Sequence, residues 1–162
     1  MAKSLADDAV LFVDDEESIL NALRRELADE DYRCLFALSG NQALNIMQQE
    51  NVSVIISDMK MLEMDGLRLL KLVKEKYPTT VRVVLSGYTQ LPQILVTINQ
   101  AEIFKFLTKP WGSELKSVIH EAINYHQLQE DRIKIEQLLN LQNNESTDII
   151  KKIKNTILAV RN

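Results

Sequence analysis

A chain of 162 residues, 46% apolar and 26% charged, has material for one folded domain of ordinary size plus an appendage. No apolar run approaches the ~20 residues needed to span a bilayer, and Met1 to Asp8 lack the apolar core of a signal peptide, so no membrane association and a cytoplasmic setting are expected. The formal charge of −4 divides unevenly, with 13 Lys/Arg against 18 Asp/Glu in residues 1–127 and 6 against 5 in residues 128–162. An acidic body with a near-neutral tail carries no nucleic-acid footprint.

Short β-branched runs alternate with helical patterns along the chain, the signature of a parallel doubly wound sheet. The first run, Ala9-Val10-Leu11-Phe12-Val13, reads as a buried strand. Glu17 to Ala28 then sets Ile19, Leu20, Leu23 and Leu27 at helical spacing. A second strand is expected over roughly Arg33 to Leu38. It contains Cys34, the only cysteine, which reads as a small buried hydrophobe. Ser39 can cap the next helix, whose Ala43, Leu44, Ile46 and Met47 share a face. The third strand is Val52 to Ser57. Asp65-Gly66 reads as a turn, and Leu67, Leu69, Leu70 and Val73 mark a helix ending near Tyr77-Pro78. The fourth strand is Val81 to Leu85. A short helix over Gln93 to Asn99 leads to the fifth strand, Ile103 to Leu107, in which Phe106 reads most simply as core. Five strands with five helices make a flavodoxin-like sheet. The chain has four glycines, which excludes a dinucleotide loop of the G-x-G-x-x-G type, so no Rossmann cofactor is expected.

In open α/β sheets the reactive cleft lies beyond the carboxyl ends of the strands. Asp14-Asp15, Asp58 and Lys109 follow the first, third and fifth strands and should therefore converge. Carboxylates sharing a cleft repel one another unless a hard cation neutralises them. Mg²⁺ suits this site because it takes one or two carboxylates and keeps positions for phosphate oxygens. Lys109 would supply a fixed positive charge for a phosphoryl group. Taken singly, each residue has a plainer reading: Asp14-Asp15-Glu16 as a solvated helix start, Asp58 as a turn former, Ser86 as a strand-end cap and Lys109 as a surface lysine. His120 and His126 lie six apart, poor spacing for a metal, and surface or interface roles are expected of them.

Val13-Asp14-Asp15-Glu16, Asp58-Met59-Lys60-Met61-Leu62-Glu63-Met64-Asp65-Gly66, Leu85-Ser86-Gly87 and Leu107-Thr108-Lys109-Pro110-Trp111 stand in order. Together they resemble the receiver domain of two-component response regulators. The Lys-Pro-Trp stretch is similar to a subgroup often joined to cyclic-dinucleotide phosphodiesterase or enhancer-binding output domains. The resemblance implies a domain over residues 8–126, beyond which the helical pattern predicts a coiled-coil-like tail over 127–162. It implies that Asp58 accepts a phosphoryl group from a sensor histidine kinase or phosphotransfer protein, so that the chain is a signalling domain rather than an enzyme. Asp14, Asp15, Asp58 and the Lys60 backbone carbonyl would serve Mg²⁺, Asp14 mainly through a water. Lys109 and Ser86 would contact the phosphoryl oxygens, with Ser86 and Phe106 forming a switch. Lys60 and Tyr88 would set the phosphoryl lifetime, and a cis bond would precede Pro110. Leu62 departs from the family pattern, which has proline there, and that puts loop rigidity in doubt. A phosphorylation-independent adaptor is an alternative reading. A haloacid-dehalogenase-type phosphatase fits poorly, because its Asp-x-Asp pair is absent where Asp14 and Asp15 are adjacent.

From Gly112-Ser113 a last helix begins, and its helical pattern runs through Leu115, Val118, Ile119, Leu128, Ile135 and Leu139. Gln142-Asn143-Asn144-Glu145-Ser146 is the expected interruption, with Ser146 or Thr147 capping a further helix. There Ile150, Ile153, Ile157 and Val160 form a heptad seam, from which a homodimer is expected.

Overall fold

The computed structural model describes residues 3–87 and 91–160. A single 3-10 turn, Leu5–Asp7, leads into β1 (Ala9–Val13), followed by α1 (Glu17–Glu26), β2 (Arg33–Ala37), α2 (Gly40–Gln49) and β3 (Val54–Ser57). Next come α3 (Gly66–Lys76), β4 (Val81–Ser86), α4 (Leu91–Ala101), β5 (Lys105–Thr108) and α5 (Glu114–Val160). The strands are parallel in the order β2-β1-β3-β4-β5, the flavodoxin-like arrangement that the alternating pattern predicts.

β1, β3 and β4 are buried along their whole length, which is why they read as continuous apolar runs rather than alternating ones. Their side chains divide between two cores. Val10, Phe12, Val54 and Ile56 pack with Leu20 and Leu23 of α1 and with Leu115, Ile119 and Ile123 of α5. Leu11, Val13 and Ile55 pack on the other face with Ala43 and Met47 of α2, Leu69, Leu70 and Val73 of α3, and Ile94 of α4. Ser39 caps α2 by accepting from the Gln42 amide, and Asp65 caps α3 by accepting from the Arg68 amide. Asp65 is therefore a helix cap rather than a simple turn residue.

Strand limits shift by one or two residues from the sequence expectation. β2 stops at Ala37 and leaves Leu38 exposed, while β4 takes in Ser86 and β5 takes in Thr108. Phe106 is 42% exposed rather than core. β5 closes one edge of the sheet, and an edge strand has cover on fewer sides than a central one. Cys34 is half-buried against the first core. His126 departs from the surface role expected of it: it is buried, and its Nδ1–H donates to the Thr79 carbonyl at 2.7 Å. His120 faces Glu30, 3.3 Å away.

The chain divides into compact units of residues 1–127 and 128–162. In the second unit the expected break over Gln142 to Ser146 does not occur, and the helix runs through it. Thr147 donates its hydroxyl to the Asn143 carbonyl within the helix at 2.8 Å instead of capping a new one. Asn and Ser cost only a few tenths of a kcal/mol each in a helix interior, far less than Pro or Gly, so a polar stretch without either need not end it. Ile150, Ile153, Ile157 and Val160 are all more than half exposed.

Candidate functional site

Parallel strands deliver their successors to one edge of the sheet. Asp14 follows β1, Asp58 follows β3, Ser86 ends β4 and Lys109 follows β5. Backbone bonds fix the positions from which these side chains project. The Asp14 amide donates to the Ala37 carbonyl at 3.1 Å, the Asp58 amide to Val13 at 2.9 Å, and the Lys109 amide to Ser86 at 3.0 Å. The Lys109–Pro110 bond is cis, as the resemblance implies.

The side chains converge. Lys109 Nζ contacts Asp14 Oδ2 closely and lies 3.2 Å from Asp58 Oδ2. Ser86 Oγ donates to Asp58 Oδ1 at 3.1 Å, and the same oxygen accepts from the Met59 amide at 2.8 Å. Asp14 Oδ1 accepts from the Glu16 amide at 2.9 Å. Asp14, Asp58 and Ser86 are buried, while Asp15 is exposed at the mouth. Each of Asp14, Asp15 and Asp58 places one oxygen within 4.8 Å of the others.

Three carboxylates against one ammonium leave the cleft with an excess of negative charge. Burial pushes the Asp14 carboxyl above its ordinary value and the charge of Asp58 adds to this, although Lys109 and the Glu16 amide act in the opposite sense. Burial alone would depress the Lys109 ammonium, but its hydrogen bond to Asp14 and the charges of Asp14 and Asp58 prevail and raise it. The lysine is therefore held charged among acids it does not fully neutralise. All-oxygen donors with surplus negative charge at the mouth of a cleft fit a hard dication such as Mg²⁺.

The loop after Asp58 carries a residue that sequence reading took for half of a turn. The Gly66 amide donates to the Met59 carbonyl at 2.8 Å. A β-carbon on Gly66 would lie 2.2 Å from the Asp58 carbonyl oxygen, so no other residue fits against the backbone of Asp58. The only sequence signal was a glycine shortly after Asp58. In the same loop Glu63 adopts φ of 67° and Leu62 is 80% exposed. Lys60 is exposed and borders a cavity of about 600 Å³ that also includes Met61 and Pro92. Phe106 lies outside the cleft cluster, on β5. Tyr88, expected beside the site, falls outside the described residues.

The fold and site define a class, the flavodoxin-like α/β domains with an acidic cleft at their strand ends. Within it the chain belongs to the response regulator receiver domain family, whose model matches residues 10–123, and such domains serve signalling rather than metabolic chemistry. It is 36% identical over 151 residues to the hydrogenase transcriptional regulatory protein HoxA of Cupriavidus necator, covering 93% of this chain and 30% of that protein. It is 32% identical over 143 residues to the DNA-binding transcriptional regulator NtrC of Escherichia coli K12, covering 87% of this chain and 29% of that one. Among solved structures, the signal receiver domain of an HD domain-containing protein from Pseudomonas fluorescens Pf-5 is 32% identical. It superposes with a TM-score of 0.77, covering 82% of this chain and 98% of that one. The chain thus spans about 30% of the length of the curated relatives it matches.

Proposed function

We propose that residues 8–126 form a phosphoacceptor receiver in which Asp58 takes a phosphoryl group from a sensor histidine kinase or phosphotransfer protein. The observation that carries this reading is the convergence of Asp14, Asp15, Asp58, Ser86 and Lys109 at one sheet edge. A carboxylate oxygen of Asp58 forms the new O–P bond as the N–P bond of a phosphohistidine breaks and imidazole leaves. Bound Mg²⁺ would supply charge neutralisation for the phosphoryl oxygens, held by Asp14, Asp15, Asp58 and the Lys60 carbonyl, with Asp14 acting mainly through a water. Lys109 holds positive charge beside the acceptor oxygen. The Ser86 hydroxyl, which donates to Asp58 Oδ1, turns to a phosphoryl oxygen once that carboxylate is esterified. The product adds about −1.5 to −2 charge, which biases a switch involving Ser86 and Phe106.

HoxA and NtrC are transcriptional regulators by name, which favours an output domain on a longer protein over a phosphorylation-independent adaptor. Lys-Pro-Trp points to phosphodiesterase or enhancer-binding outputs in a cytoplasmic regulator. The exposed Ile150, Ile153, Ile157 and Val160 of residues 127–162 favour a homodimer through the tail, because a long apolar stripe is a poor solvent-facing surface. Light scattering that finds a monomer at tens of micromolar would remove the dimer. Acetyl phosphate with Mg²⁺, followed by intact mass measurement, tests the central reading. One alkali-labile phosphoryl adduct is expected, and undiminished labelling of Asp58→Asn would refute Asp58 as the acceptor.

A further inference from the structure

The loop from Met59 to Asp65 has no proline, and one of its residues stands in the left-handed region. Within it, the Gly66 amide meets the Met59 carbonyl at 2.8 Å at its base and the Met64 amide meets the Leu62 carbonyl at 2.7 Å. The end nearest α3 is also held from elsewhere. Met64 is buried, and its side chain lies over Gly40, the first residue of α2. A β-carbon at Gly40 would stand 2.7 Å from Met64 Sδ, 3.1 Å from Cγ and 3.2 Å from Cβ. Not only the thioether end but the root of that side chain is close, so a swing of the sulfur alone would not make room.

The turn that carries Gly40 also reaches the opposite wall of the cleft. Ala37, the last residue of β2, accepts the Asp14 amide at 3.1 Å. The Leu38 amide donates to Gln42 Oε1 at 2.7 Å, and Ser39 caps α2. Residues 37–42 are thus cross-braced, touching the Asp14 backbone on one side and the Asp58 loop on the other. We propose that Gly40 and Met64 form a notch-and-knob contact that positions the Asp58 loop relative to Asp14, and through it the Lys60 carbonyl and the cation affinity of the cleft. Both are positioning residues, since neither touches the reacting atoms. The proposal rests on the metal-site reading above.

Positioning is read through the Mg²⁺ affinity of the folded variant, and stability through its urea unfolding. Alanine is favoured over glycine in a helix, but its β-carbon must displace buried Met64, so the Gly40→Ala protein is expected to unfold in urea somewhat more easily than wild type. The displaced Met64 should shift the loop and weaken Mg²⁺ binding roughly tenfold, the scale expected when a ligand's supporting contact is lost. Calorimetric titration with Mg²⁺ alone reads this directly. Met64→Ala, which empties the notch, should also weaken binding, and the two substitutions together should cost less than the sum of their separate effects. Unchanged Mg²⁺ affinity in Gly40→Ala, or strictly additive effects, would overturn the proposal. If Gly40→Ala fails to fold, unchanged affinity in Met64→Ala overturns it. A wild-type chain that binds no Mg²⁺ would instead overturn the site reading beneath it.

Discussion

β1 has a buried aspartate at each end, and the two have opposite surroundings. Asp8, just before the strand, is fully buried. Its Oδ1 accepts the Ser53 hydroxyl at 2.6 Å and lies 3.3 Å from Lys3 Nζ, while Oδ2 accepts the Gln127 amide at 2.8 Å. Every contact is a donor, and the carboxylate ties β1 and β3 to α5. Asp14, just after the strand, has one lysine and one amide, with two further carboxylates within reach. A buried acid surrounded by donors holds a fold together. A buried acid among other acids keeps a surplus of negative charge that a bound cation would offset.

The largest expected effect tests how rigid the cleft end is. Gly66→Ala drives a β-carbon into the Asp58 carbonyl, and because the obstacle is backbone it cannot yield cheaply. A loss of about 3 kcal/mol in urea unfolding is expected, at the upper end of overpacking costs. Stability within a few tenths of a kcal/mol of wild type would mean that the loop is looser than the close approach suggests.

The comparison itself is sharpened by deleting one carboxylate at each end of the sheet in metal-free protein. Asp8→Ala strands the Ser53 hydroxyl and the Gln127 amide without an acceptor and should cost about 2 kcal/mol. Asp15→Ala relieves repulsion in the cleft and should leave the apo protein slightly more stable. Chemical denaturation of both variants checks the pair, and the same sign for both would dissolve the distinction.

A smaller effect appears at high pH, away from both aspartates. Burial pushes the Cys34 thiol up to about 11 from an ordinary 9.0, and the nearby charge of Glu30 adds to this. A thiol raised on folding contributes stability that is fully present below pH 9.0 and lost as pH climbs through about 11. Cys34→Ala should therefore flatten the stability profile across that window. Lys109 also weakens the fold at high pH, since its raised ammonium contributes stability below 10.5 that is lost as pH passes its folded value. Its loss begins above 10.5, and that of the Tyr32 hydroxyl, which burial also raises, begins above 10.0, so the part between 9 and 10 belongs to Cys34 and is what the variant isolates. An unchanged slope there would show that the thiol ionises freely.

The sheet order and the convergence of Asp14, Asp58 and Lys109 were legible in the sequence because both follow from local signals. Buried parallel strands read as apolar runs, and residues just beyond them share an edge by geometry. What sequence could not carry was cover and proximity at a distance. Phe106 looks like core in its own run, but its exposure depends on β5 having a neighbour on one side only. His126 looks like a surface residue on a polar helix until the Thr79 carbonyl arrives from another part of the chain. The polar stretch over Gln142 to Ser146 looks like a break because composition weighs residues singly, whereas a helix without Pro or Gly runs on. The Gly40–Met64 contact joins residues 24 apart, and nothing in either segment announces the other.

The most direct measurement is thermal unfolding with and without Mg²⁺ for wild type, Asp8→Asn and Asp58→Asn. A ligand that binds only the folded state stabilises it in proportion to the logarithm of its concentration over Kd. The account predicts that Mg²⁺ raises the unfolding midpoint of wild type, and that of Asp8→Asn by the same increment from a lower start. It should leave Asp58→Asn essentially unmoved. An equal Mg²⁺-dependent rise in Asp58→Asn would show that the cleft carboxylates are not gathered around a cation, and the functional reading of the cleft would fail with it.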